Sequence, residues 1–168
     1  MLKPKEIFVK THRCVGCLSC TIACAVEHSK SKTLFGAIWE TPVPKSRVYV
    51  QWVEPDGKVP LVCRHCEDAP CMYACISGAI SRDENGVVIT DTDKCIGCWT
   101  CVMVCPYGVI GRYLEEHKAY RCDRCPDREI PACVSACPTG ALVYETVDSF
   151  SVKVRKHVSR ELLRAERG

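Results

Sequence analysis

Sixteen cysteines in 168 residues fall into four groups of four, with none left over. The groups are Cys14, Cys17, Cys20 and Cys24; Cys63, Cys66, Cys71 and Cys75; Cys95, Cys98, Cys101 and Cys105; and Cys122, Cys125, Cys133 and Cys137. At this density a chain folds as a disulfide scaffold, as zinc modules or around iron–sulfur clusters. A fourfold repeat limits the fold more than local propensity does, because every repeat unit must close on a guest or on another repeat.

The disulfide reading requires an oxidising compartment, and hence a basic stretch, an apolar run and a cleavage site at the N-terminus. Residues 1–13 instead mix Lys3, Lys5, Glu6 and Lys10 with a few apolar side chains, and no twin-arginine pair precedes an apolar core. A cytoplasmic protein with reduced or metal-bound thiols is expected. The longest charge-free stretch, 95–111, contains Pro106 and four cysteines and is shorter than the roughly 20 apolar residues of a membrane helix.

Groups one and three are spaced C-x2-C-x2-C-x3-C, and group three runs into Pro106, the pattern of bacterial ferredoxins. Groups two and four are the same motif with a longer second gap, four residues at 67–70 and seven at 126–132. Three closely spaced cysteines on a tight loop can wrap one face of a [4Fe-4S] cubane. Gly16 and Gly97 stand where the backbone must turn and aim its N–H groups at sulfur. The fourth cysteine begins a short helix that has turned away, so it is free to reach a neighbouring cluster. Zinc is the metal rival, and a zinc-bound structural module the rival function. Zinc sites, however, join two C-x2-C or C-x2-H hooks across an insertion, which C-x2-C-x2-C-x3-C does not divide into. Iron–sulfur is the favoured reading.

The formal charge of +3 counts every cysteine as neutral. A cubane with a 2+ core and four thiolates carries −2, so four of them bring the loaded chain to about −5. The basic residues then balance cluster charge rather than bind nucleic acid.

Between the groups, the pattern predicts strands at 47–53 and 59–62 around a turn at 54–58, strands at 79–81 and 87–90 around Asn85-Gly86, and a strand at 141–146. Short helices are expected at 21–27, 70–75, 102–106 and 133–137. With so little apolar material, the clusters must serve as much of the core, and an apo chain is expected to be disordered. His65, between Cys63 and Cys66, reads as a packing or hydrogen-bonding residue, and His12, His28, His117 and His157 as surface or loop residues. Trp99 reads as apolar packing, with shielding of a cluster from water as a further role. Residues 33–44, with Leu34, Phe35, Ile38 and Trp39, are expected to cover the first cluster, a docking surface being the alternative. The tail 151–168 spaces Val154, Val158 and Leu162 helically among Lys153, Arg155, Lys156, Arg160 and Arg164. It is read as a solvated helix on its own domain or a dock for an acidic partner.

The run Asp93-Lys94-Cys95-Ile96-Gly97-Cys98, continuing to Cys105-Pro106, together with the four groups in this order, resembles the four-cluster electron-transfer subunits of the dimethyl sulfoxide reductase iron–sulfur family. The resemblance covers about residues 5–144. It implies an α+β fold of two ferredoxin-like modules, one inserted into the other. The outer module would comprise 1–46 and 107–150, the inserted one 47–106, and the basic helical tail 151–168. It further implies four [4Fe-4S] clusters whose ligands are exchanged between groups. Cluster 1 would take Cys14, Cys17, Cys20 and Cys137; cluster 2 Cys24, Cys122, Cys125 and Cys133; cluster 3 Cys63, Cys66, Cys71 and Cys105; and cluster 4 Cys75, Cys95, Cys98 and Cys101. Proline follows Cys105 and Cys137 as in ferredoxins, whereas Ala25 follows Cys24 and Ile76 follows Cys75.

Within the family the chain is most similar to the iron–sulfur partners of nickel-containing carbon monoxide dehydrogenase. The implied function is relay of single electrons between that enzyme and an acceptor such as a hydrogenase or an NAD(P) reductase. Small subunits of tungsten aldehyde oxidoreductases, formate dehydrogenases and hydrogenases share the pattern. With four thiolates on every cluster and no Gly-rich phosphate loop or convergent acid–base set, no substrate chemistry is expected of the chain itself. A catalytic subunit carrying an added flavin is the enzymatic rival.

Overall fold

The computed structural model describes residues 5–165; the ends of the expected outer module and tail, 1–4 and 166–168, lie outside the described residues. Strand β1 (Lys5–Val9) pairs antiparallel with β8 (Leu142–Thr146), Ile7 opposite Tyr144, so the first strand and the last meet in one ladder. Three hairpins lie between them in sequence. They are β2 (Tyr49–Val53) with β3 (Gly57–Leu61), β4 (Ile80–Arg82) with β5 (Val88–Thr90), and β6 (Gly111–Tyr113) with β7 (Lys118–Tyr120). The last hairpin and β1 have no counterpart in the sequence prediction, because neither shows a long alternating run.

The helices are α1 (Ser19–Glu27), α2 (Leu34–Ile38), α3 (Pro70–Tyr73), α4 (Thr100–Met103), α5 (Ala132–Ser135) and α6 (Val147–Ala165). Helices α1, α4 and α5 begin one or two residues before the predicted starts, at or before the third cysteine of their group. Helices α3, α4 and α5 have four residues each, far below the length at which an isolated helix holds, and isolated two-stranded ribbons are marginal as well. These elements persist only by packing, and what they pack around is sulfur.

Two separate cores form. Ile7, Cys20, Cys24, Val48, Val62, Cys122, Cys133 and Leu142 make the first. Ala69, Cys71, Ile80, Val88, Cys101, Ile110 and Ala119 make the second. Val48 and Val62, expected in the inserted module, thus belong to the first core, and Ile110 and Ala119, expected in the outer module, to the second. The shift has a local cause. The β2–β3 hairpin leans on the Cys14 loop, Val50 and Pro60 lining the same cavity as Cys14, and the unforeseen β6–β7 hairpin closes over the second core.

Residues 33–44 correct a second expectation. Their large apolar side chains face solvent, Phe35 at 79% and Trp39 at 87% exposure, and do not cover a cysteine site. Only Ala37 of α2 is buried, since the short helix is held from its ends: Thr33 Oγ1 caps it by accepting from Gly36 N, and Glu40 accepts from Lys30 N and Ser31 N. Helix α6 runs through 151–165 of the basic tail. It is anchored at its start, where Phe150 stacks on Phe8 at 4.1 Å and Lys153 pairs with Glu145. From Val152 to Ala165 every residue is exposed. No described helix is long and apolar enough to cross a membrane.

Candidate metal centres

Each cysteine group opens with a loop whose third residue is left-handed. Gly16 (φ 70°) and Gly97 (φ 69°) take this position in groups one and three, and His65 (φ 47°) and Arg124 (φ 62°) in groups two and four. Glycine adopts this backbone freely, whereas a residue with a Cβ is strained there by roughly 1–2 kcal/mol. In groups one and three the residue after the second cysteine, Leu18 (φ 61°) or Trp99 (φ 63°), is left-handed too and leads into α1 or α4. The turn returns the third cysteine to the loop's concave side while the helix carries the fourth away.

Three cavities of nearly equal empty volume result, about 340, 320 and 310 Å3. One is lined by Cys63, Cys66, Cys71 and Cys105, one by Cys75, Cys95, Cys98 and Cys101, and one by Cys14, Cys17, Cys20 and Cys137. The remaining thiols, Cys24, Cys122, Cys125 and Cys133, are all buried, and the charges of Cys122, Cys24 and Cys125 all bear on Cys133. In each of the three cavities one cysteine comes from a different sequence group than the other three. Electrostatics also link cysteines of different sets. Cys20 acts electrostatically on Cys133, Cys63 on Cys122, and Cys71 on Cys101.

The donor chemistry fits a metal core. Burial pushes Cys20 and Cys125 up to about 11 and Cys122 up to about 12, and raises Cys133 as well. Buried thiols that resist ionisation become thiolates when a compact positive core binds them; at Cys24 burial acts the same way, but hydrogen bonds with His28 and Arg47 N outweigh it and lower the thiol. The exposed pair differs: Cys17 and Cys98 are lowered, chiefly by hydrogen bonds with the side chains of Ser19 and Thr100.

Polar groups orient the sulfurs. Arg47 N donates to Cys24 Sγ at 3.2 Å, and Ala141 N to Cys137 Sγ at 3.2 Å. His28, expected at the surface, is instead tucked against Cys24 (Nδ1 to Sγ 3.7 Å), with Nε2 3.1 Å from Asp123 Oδ1, and Asp123 also pairs with Arg47. Burial alone would lower His28, but hydrogen bonds to Asp123 and Cys24 raise it to about 9. The helical spacing of four residues from Cys24 was the signal available in the sequence. The ligand atoms of His28, Asp123 and Cys125 lie within 4.8 Å of one another, yet the Arg47 and His28 pairing neutralises the carboxylate, so this trio braces the Cys24 site.

Around the Cys63 set, Arg82 clamps the loop through the carbonyls of His65 (3.3 Å) and Glu67 (2.8 Å). His65, as expected, serves as a hydrogen-bonding residue: its Nδ1 accepts from Val88 N at 3.0 Å. Burial, then the charges of Arg124 and Arg121, lower it to about 3, so the ring is neutral. Trp99 packs on the second core and lines the Cys95 cavity, with Arg112 5.7 Å from its ring centre.

Cysteine sets of this kind define a polycluster iron–sulfur protein. The chain matches the 4Fe-4S dicluster domain over residues 57–147 and a 4Fe-4S binding domain over residues 11–27. It is 36% identical to an iron–sulfur protein of Rhodospirillum rubrum, covering 96% of this chain and 92% of that one. The thiosulfate reductase electron transfer subunit PhsB of Salmonella typhi is 39% identical, covering 84% of this chain and 75% of that one. The electron transport protein HydN of Escherichia coli is 39% identical, covering 82% and 85%. The chain belongs to the [4Fe-4S] ferredoxin-type electron-transfer subunit family, and its sixteen cysteines hold four [4Fe-4S] clusters.

Proposed function

We propose that the chain is a four-site electron wire, with the ligand sets Cys14/Cys17/Cys20/Cys137, Cys24/Cys122/Cys125/Cys133, Cys63/Cys66/Cys71/Cys105 and Cys75/Cys95/Cys98/Cys101 in that order along it. The carrying observation is that three of the sets gather three cysteines of one group and one of another around a cavity, while in the fourth Cys24, Cys122 and Cys125 act electrostatically on Cys133. A [4Fe-4S] centre supplies one-electron chemistry and, with four thiolates, offers no open position for a substrate. The order is supported by the pairwise influence of Cys20 on Cys133, Cys63 on Cys122 and Cys71 on Cys101. Both end sets contain an exposed cysteine, Cys17 or Cys98, where a partner can approach, and the set next to the Cys14 end is wholly buried.

Two ferredoxin-like modules are nested in this reading. The two cores support placing the inserted module at about residues 63–121, with the outer one closed by the β1–β8 ladder. The partner is a catalytic oxidoreductase, as it is for the thiosulfate reductase electron transfer subunit PhsB. Carbon monoxide dehydrogenase, with a hydrogenase or NAD(P) reductase as acceptor, is the particular pairing proposed. It rests on the sequence resemblance alone. The chain itself carries out no substrate chemistry.

Iron, acid-labile sulfide and zinc on anaerobically purified protein test the wire. About sixteen iron and sixteen sulfide per chain with negligible zinc are expected for four cubanes. Zinc without sulfide would replace it with a structural metal protein. Mixing the loaded protein with reduced carbon monoxide dehydrogenase and following bleaching of the iron–sulfur absorbance tests the partner: bleaching within seconds is expected, and none would remove that pairing.

A further inference from the structure

The three cysteine-lined cavities differ in one respect. Those of the Cys14 and Cys95 loops have no charged residue and no histidine in their walls. The cavity of Cys63, Cys66, Cys71 and Cys105 is walled by Arg64, His65 and Arg121 as well.

Arg121 is only 2% exposed, and among the described residues no carboxylate pairs with it. Its Nε donates to Thr90 Oγ1 at 3.0 Å and its Nη1 to Cys71 Sγ at 3.0 Å, while Nη2 is buried without a protein partner. A buried guanidinium costs several kcal/mol unless an anion compensates it, and arginine does not escape by losing its proton. The one anion available to it is the thiolate-bound site itself.

His65 repeats the pattern. It is 6% exposed, and because Nδ1 accepts from Val88 N, the ring proton sits on Nε2, which is buried with no protein partner. Its backbone is left-handed at the position glycine holds in groups one and three. A strained residue retained where glycine would fit points to a use for its side chain.

We infer that His65 and Arg121 are positioning residues that direct N–H donors and a fixed positive charge at the Cys63/Cys66/Cys71/Cys105 site, making it the most easily reduced of the four. This rests on the ligand sets proposed above. Reduction adds one negative charge to the site. Both donors stabilise that charge, and hydrogen bonds to the sulfurs are an established lever on such potentials. Electrons entering the wire therefore collect at an interior position, fed from either end. The charge of Arg121 also acts on Cys101, so the Cys95 site shares a smaller part of the effect.

Stepwise dithionite reduction followed by electron paramagnetic resonance tests this on the intact, loaded protein. The first signal to appear is expected to be the one altered by both Cys71→Ser and Cys105→Ser. Arg121→Met should make that site about tenfold harder to reduce, 59 mV for one electron. Arg121→Lys should recover part of the shift, and His65→Asn, which tolerates the backbone, should cost about threefold. If Cys71→Ser and Cys105→Ser alter different signals, the ligand sets are wrong. If they alter the same signal but it is not the first reduced, or Arg121→Met leaves its midpoint in place, the inference itself is overturned. Should Arg121→Met fail to load iron, the wild-type order of reduction and the Arg121→Lys midpoint still decide it.

Discussion

The compactly spaced cysteine groups, one and three, and the stretched groups, two and four, build different versions of one loop. In the compact loops glycine takes the left-handed turn, the second cysteine is exposed, and a hydroxyl from Ser19 or Thr100 lowers its thiol. In the stretched loops His65 or Arg124 takes the turn at a conformational cost, the side chain is buried, and no cysteine is exposed. The comparison shows where each kind of site belongs. Compact loops suit the ends of a wire, where electrons enter from outside. Stretched loops suit its middle, where charge added far from water needs donors from the protein.

The largest effect that would break this comparison is the loss of one ligand from each kind of site. Cys133 is 3% exposed and sits in the first core, so Cys133→Ser should empty its site and loosen the first core, read as iron per chain and circular dichroism. Cys17→Ser should leave a folded protein with only one site altered by paramagnetic resonance, because that sulfur faces solvent. Equal damage from the two would mean that burial does not separate the sites.

A smaller effect separates the two compact loops from each other. A Cβ at Gly97 would land on the main-chain oxygen of His117, whereas at Gly16 the first obstacle is the flexible side chain of Lys58. Both substitutions carry the left-handed penalty of roughly 1–2 kcal/mol. Gly97→Ala should cost about 1–3 kcal/mol more than Gly16→Ala, as overpacking does, measured by thermal bleaching of the iron–sulfur absorbance. Indistinguishable midpoints would show that the Cys95 loop gives way as easily as the Cys14 loop.

How far the sequence disclosed this molecule depends on what each signal encodes. The cysteine spacing carried the loops, and Gly16 and Gly97 carried their turns, because a left-handed backbone selects its residue. The β2–β3 and β4–β5 hairpins were legible from alternation and from Asn85-Gly86. Strand β1 was not, since it is recognisable only once it pairs with β8, the last strand. Arg121 was equally silent: what places it against Cys71 is tertiary packing, and it lies in no motif. The exposed face of α2 misled because an apolar run reads as core until its capping contacts are known.

In the stretched loops, the conformational cost can be weighed directly. His65→Gly removes the left-handed strain, a gain of roughly 1–2 kcal/mol, but leaves Val88 N without an acceptor, a loss of about 1–3 kcal/mol, and opens space beside the second core. The net change should be a destabilisation of about 1 kcal/mol. A net gain in thermal midpoint would mean that the histidine costs the fold more than its hydrogen bond returns.

The smallest effect concerns the only long helix among the described residues, which lies at one end of the molecule. Helix α6 touches the first core's ladder through its first turns, with Phe150 on Phe8 and Ser149 Oγ donating to Glu145 at 2.8 Å, and from Val152 to Ala165 every residue is exposed. An exposed stretch that buries nothing adds little to stability, whatever its helical propensity. Deleting 154–168, which retains Phe150 and Lys153, should therefore leave iron content unchanged and shift stability by no more than about 0.5 kcal/mol. A drop in the Cys14 site's signal alone would instead tie α6 to that end of the wire, through the cleft that Val154 and His157 share with Lys10, His12 and Arg13.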